Sequence, residues 1–187
     1  MTETLPGVPR WANLAAHATL LVTLPSGLWR IAMGLGLPVG FTAQGLEEFG
    51  IPGWGQAYVF GLSLLAEALA FLTLGLVRPW GEVWPRWIPG LRGRRIPPLA
   101  AILPAAAGAI TLTALSVQGL FGWAEAGSSM AQGSREGSPV YGIVMAACYA
   151  PLLLWGPLLA AVTVHYARRR FSGERPQHTL QPLGGRA

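Results

Sequence analysis

The sequence predicts an all-α, polytopic membrane protein: a four-transmembrane-helix bundle with both termini cytoplasmic. Three observations carry that expectation. Four long apolar runs, at about residues 11–36, 57–77, 99–121 and 140–167, alternate with glycine- and arginine-rich connections. At about 1.5 Å of helix rise per residue, each is long enough to cross a hydrocarbon layer roughly 30 Å thick. Of the 187 residues, 52% are hydrophobic and 11% charged, whereas soluble domains run to roughly 25% charged. The arginines are also one-sided. Arg10 precedes the first run, Arg78, Arg86, Arg92, Arg94 and Arg95 lie between the second and third, and Arg168, Arg169, Arg170, Arg175 and Arg186 follow the fourth. Arg135 alone falls on the opposite side, and Arg30 lies within a run. Such an excess in short loops marks the cytoplasmic face. The connections are too short to fold separately, so residues 1–187 are expected to form a single membrane domain.

The first run begins at Trp11, is too long for a signal-peptide core and has no small-residue cleavage site after it, so it reads as a retained helix. Pro25 predicts a kink there, because proline removes a backbone donor and clashes with the preceding turn. Thr23, Gly27, Arg30 and Gly34 recur at helical spacing and make one small, weakly polar face. In the loop 37–56, Thr42 followed by Ala-Gln-Gly-Leu-Glu-Glu-Phe predicts a capped interfacial turn with Gly50 as its stop. The second run carries Glu67 about eleven residues from its start, near the midplane. In the third run, Pro104, Ala107, Thr111, Ala114 and Gln118 share a face that is expected to turn inward. Gly142, Ala146 and Tyr149 form a comparable face in the fourth. The loop 122–139 is small and polar.

Between the second and third runs, the loop 78–98 reads Arg-Pro-Trp-Gly-Glu-Val-Trp-Pro-Arg-Trp-Ile-Pro from Arg78 to Pro89, then Gly-Leu-Arg-Gly-Arg-Arg-Ile-Pro-Pro. Its prolines forbid a long helix, and its tryptophans favour the headgroup layer. Arg78, Trp80, Trp84, Arg86, Trp87, Arg92, Arg94 and Arg95 are therefore expected to form a strap on anionic lipid headgroups. With the helix before it and the small-residue helix after it, this loop resembles those of uncharacterised four-span bacterial integral membrane proteins. The resemblance implies the fold and carries no assigned activity. The polar tail 168–187 is expected to be cytoplasmic.

All 13 basic residues are arginine and all 8 acidic residues glutamate, so every cation keeps its charge wherever it sits. The isoelectric point is about 10.3, but the arginines lie in juxtamembrane segments, not along one amphipathic element. Membrane lipid is thus the expected partner and nucleic acid is not; a protein partner or homo-oligomer stays open. Cys148 is the only cysteine, which excludes an intrachain disulfide. No Gly-x-Ser-x-Gly elbow, His-Glu-x-x-His pair or phosphate loop occurs, and no cofactor is expected.

The ionisable groups inside the runs are the informative ones. A central carboxylate costs about 2.5–3.5 kcal/mol to insert, so Glu67 should face the interior. Arg30, Ser63, Glu67, Gln118 and Tyr149 are the candidate lining of an outward-facing polar pocket with Glu67 at its floor. The bland alternative is an interhelical hydrogen-bond network, worth on average only about 0.6 kcal/mol per bond. His17 and His165 lie at similar depths and form a possible haem-ligand pair. Three function classes follow. One is a non-enzymatic accessory subunit or lipophilic-ligand binder. Another is an intramembrane enzyme acting on a lipid or isoprenoid, with Glu67 as catalytic acid or base. The last is a proton-coupled transporter subunit.

Overall fold

The structure is a computed structural model that describes residues 5, 7–37, 39–41, 43–83, 93–126 and 139–172. Its described secondary structure is helical apart from isolated bridge residues, among them Val83 paired with Arg95. The helices are α1 (Arg10–Gly34), α2 (Ala43–Glu48), α3 (Trp54–Thr73), α4 (Pro98–Ala126), α5 (Pro139–Tyr149) and α6 (Trp155–Ser172). A 3-10 turn, Leu74–Leu76, extends α3, and another, Ala150–Leu154, joins α5 to α6. The four apolar runs thus become α1, α3, α4 and the α5–α6 pair.

Three of these are long and apolar enough to cross a membrane: Trp54–Leu76, Pro98–Gly119 and Gly142–Ser172. The chain is therefore a small helical protein of multi-pass membrane type. α1 is as long, at 25 residues, but Asn13, His17, Thr19, Thr23, Ser26 and Arg30 make it more polar. Its position explains how it carries them. α1 packs against α3 along one side and against α5 and α6 along others, while α4 packs mainly on α6. The helix with the most protein neighbours is the one that holds the polar groups, as expected where lipid cannot satisfy them.

Small residues let the helices approach closely. A methyl added at Gly34 would stand 2.7 Å from Phe60 Cε1, so the Phe60 ring lies directly on the α1 backbone. At the same place Gln56 Nε2 donates to the Gly34 carbonyl at 2.8 Å, tying the start of α3 to the end of α1. On the other side of the molecule, Gly156 of α6 lies against Thr113 of α4 in the same manner. These contacts substitute for the hydrophobic driving force that is missing between helices in lipid.

Three core clusters follow the long axis. At the arginine-rich end, Ala12, Ala16, Val77, Val162 and Tyr166 are packed together, and Tyr166 is fully buried. Ala66, Ala70 and Trp155 fill the middle. Trp29, Met33, Ile51 and Val59 form the core of the opposite end, with Phe41, Met145 and Tyr149 against it.

The connection between α1 and α3 contains a short helix, Ala43–Glu48, where the sequence predicts a turn, followed by Gly50 at φ +69°. The capping role expected of Thr42 lies outside the described residues. One expectation is corrected. Pro104, Ala107, Thr111, Ala114 and Gln118 form the exposed face of α4, and Ala105, Ala109, Leu112 and Thr113 of its opposite side turn inward. A lone polar residue near a helix end tolerates lipid or headgroup exposure, so Gln118 does not mark an interior face.

Candidate functional site

Polar side chains enter the protein interior mainly through α1, and most are satisfied locally. Thr19 Oγ1 donates to the Ala16 carbonyl at 2.7 Å, Thr23 Oγ1 to Leu20 at 2.9 Å, and Ser26 Oγ to Thr23 at 2.9 Å. Ser63 on α3 does the same, donating to Val59 at 2.7 Å. Back-bonded hydroxyls of this kind need no water and can sit in a dry interface.

Arg30 has a different environment. One guanidinium nitrogen reaches Ser26 Oγ at 3.4 Å, and the guanidinium carbon lies 5.9 Å from the centre of the Tyr149 ring. Tyr149 meets Trp29 edge-on at 5.5 Å, Trp29 meets Phe41 at 5.8 Å, and Phe41 meets Phe49 at 5.3 Å. This aromatic run walls a cavity of about 260 Å³, completed by Met33, Ile51, Gly55, Tyr58, Val59, Leu62 and Met145. Among the described residues, Arg30 is the one charged residue in its lining. Two donors of that lining, Arg30 Nε and Trp29 Nε1, are buried with no hydrogen-bond partner among the described residues. A buried donor left unmet costs about 1–3 kcal/mol, more when charged. Trp155 Nε1, Tyr166 Oη, Arg169 Nε and Arg170 Nε are buried without a partner among the described residues in the same way, so the charge of Arg30 beside the cavity, more than the unmet donors, sets this place apart.

Of the five residues expected to converge, Arg30 and Tyr149 come together at the cavity. Glu67 lies about one helical turn deeper, in the α1–α3 interface, with Oε1 placed 3.5 Å from where a Cβ at Gly27 would stand. That oxygen is buried and has no hydrogen-bond partner among the described residues. It forms no ion pair with Arg30, since the described ion pairs are both made by Glu82. The Ser63 hydroxyl is committed to its own helix, and Gln118 lies on the exposed side of α4. The cavity also takes Trp29, Phe41, Phe49, Tyr58 and Met145, none of which the sequence pattern singles out. A tryptophan beside an arginine near a span end reads as a headgroup anchor, and only the fold of the 37–53 connection brings the two phenylalanines onto it.

The arginine-rich end holds a second polar cluster. His17 accepts a hydrogen bond from an Arg78 guanidinium nitrogen at Nε2, 3.1 Å away, while its Nδ1 donates to the Asn13 carbonyl at 2.7 Å. Both ring nitrogens of His17 are thus engaged within the protein, and His165 meets Trp11 edge-on at 5.4 Å. Glu82 pairs with Arg169 at 2.6 Å and with Arg170 at 3.8 Å, and Arg170 also donates to the Ile96 carbonyl at 2.9 Å. Both guanidinium groups lie close to the Tyr166 ring centre, at 5.7 and 5.9 Å. Of the expected headgroup strap, Arg78 turns to His17 and Trp80 stacks on Phe71 at 5.5 Å. Arg94 and Arg95 are exposed. Trp84, Arg86, Trp87 and Arg92 lie outside the described residues. Compared with known protein families, curated proteins and solved structures, the chain finds no match in any of the three.

Proposed function

We propose that this protein is a non-enzymatic, multi-pass protein of the cell membrane that binds an anionic lipophilic molecule in the cavity beside Arg30. Both termini are cytoplasmic in this reading, so the cavity faces the outer leaflet. The observation that carries it is the placing of Arg30, the one charged side chain among the described lining residues, on an otherwise apolar and aromatic cavity. Apolar walls with a few placed polar groups are the usual composition of a small-molecule site. A fixed positive charge among them selects an anionic headgroup. The enzyme alternative calls for the Glu67 carboxylate at the reacting centre, and Glu67 is not part of the cavity lining. The arginines of the opposite end fit the anionic surface of a cytoplasmic leaflet.

Binding to protein reconstituted in lipid nanodiscs tests the reading. Dodecyl phosphate is expected to bind, and Arg30→Met to weaken it roughly 10- to 100-fold, the worth of a hydrogen bond to a charged group. Equal affinity for dodecyl phosphate and dodecyltrimethylammonium, or indifference to Arg30→Met, would exclude it.

A further inference from the structure

Tyr149 lines two cavities, and the second has the character that the first lacks. It measures about 240 Å³ and is bounded on α4 by Leu112, Leu115 and Ser116 and along the fourth apolar run by Leu152, Leu153 and Trp155. Among the described residues none that lines it is charged, and its polar side chains are Ser116, Tyr149 and Trp155. It lies where Pro151 interrupts the fourth run. Proline removes a backbone donor, and the chain tightens to 3-10 geometry from Ala150 to Leu154 before the helix resumes. That interruption begins immediately after Tyr149, so the same side chain borders the charged cavity and the uncharged groove.

From this arrangement we infer that the two cavities are the head and tail compartments of one elongated site for a single-chain anionic amphiphile, with Tyr149 as the neck between them. The inference rests on the binding reading above and names the ligand class. Two arguments support it. Each cavity alone falls below the roughly 300–1,000 Å³ typical of small-molecule sites, and the two together fall inside that range. The charge is also polarised: Arg30 is at one end, and leucines with Trp155 are at the other. That is the pattern of an anionic head followed by one hydrocarbon chain.

The chain-length dependence of binding tests this directly. The probes are octyl phosphate and octadecyl phosphate, the protein is the full chain in nanodiscs, and the readout is the ratio of their dissociation constants. Ser116→Trp, which fills the tail compartment, should cut the preference for the octadecyl chain about tenfold. Tyr149→Ala, which widens the neck, should raise it several-fold. A ratio unchanged by Ser116→Trp, with octyl phosphate still bound in an Arg30-dependent way, overturns the elongated site and leaves the head site standing. Failure of the wild-type protein to bind either probe overturns both readings. If Tyr149→Ala does not fold, the Ser116→Trp ratio alone separates one elongated site from a head site without a tail.

Discussion

Gly156→Ala is expected to loosen the α4–α6 contact, and its cost can be worked from the geometry. A methyl at position 156 would stand 2.8 Å from the Thr113 backbone nitrogen and 3.1 Å from its Cα, with Thr113 Oγ1 closer still. Thr113 Oγ1 cannot simply turn away, because it donates to the Ala109 carbonyl at 2.7 Å. The backbone nitrogen can recede only if the helix moves, by about 0.5–1 Å to restore ordinary contact. Overpacking of this kind costs about 1–3 kcal/mol. Alanine recovers part of that through helix propensity, worth about 1 kcal/mol, but Pro157 follows and disfavours helical geometry in a preceding residue that carries a Cβ. The net expectation is a loss of about 1–2 kcal/mol. Gly142→Ala is the control, since a methyl there meets nothing within 4 Å, and propensity alone should leave it neutral or up to about 1 kcal/mol more stable. Equilibrium unfolding in mixed micelles, followed by tryptophan fluorescence, measures both. Equal stability of the two variants would refute the packing argument.

Three further outcomes are expected. A double-mutant cycle between Glu82→Gln and Arg169→Gln should give a coupling of about 1–2 kcal/mol, between the surface and buried limits, because the paired side chains are 18% and 21% exposed; a coupling near zero would mean that the clamp contributes nothing to the fold. In a Cys148→Ala background, intact cells treated with an impermeant maleimide should label Leu37→Cys and spare Arg94→Cys, and the reverse pattern would invert the proposed orientation. Haemin added to the purified protein should give no spectrum of a six-coordinate, bis-histidine haem that is lost in His17→Gln, and such a spectrum would show that the Arg78 contact yields to iron.

Of the cavity residues legible in the sequence, Tyr149 ends α5 and Arg30 belongs to the clearer pattern, that of α1. Helical spacing alone groups Thr23, Gly27, Arg30 and Gly34, and all four are at least half-buried against neighbours. The same rule misassigns α4, where the grouped residues face outward. The difference is physical. On α1 the polar groups recur at many depths and include an arginine that cannot shed its charge, so only an interior position accommodates them. On α4 the polar residues of the grouped face are a threonine and a glutamine, which a helix can carry on its outer side by bonding a hydroxyl to its own carbonyls or by lying near an end. The break at Pro151 is also invisible to pattern, because proline is common in membrane helices and periodicity does not distinguish a kink from a 3-10 turn. The Glu82 clamp joins residues 87 positions apart in sequence, so no local pattern announces it.

α1 falls short of the apolarity of its three companions for the reason that makes it the helix of the site. A helix in contact with lipid on most sides is restricted to apolar side chains, and α4, with most of its surface outward, obeys that restriction. A helix enclosed by protein is released from it, and α1 is flanked by α3, α5 and α6. Polarity on α1 therefore costs little as long as its neighbours stay in place. Separating α1 from α3 would uncover Arg30, Ser26 and Glu67 together. The glycine contact at Gly34 and the Gln56 hydrogen bond thus hold the α1–α3 interface and the binding wall as one unit. Bulk introduced at Gly34 should consequently lower ligand affinity and stability in parallel, whereas Arg30→Met should separate them, reducing affinity while leaving the helix contact intact.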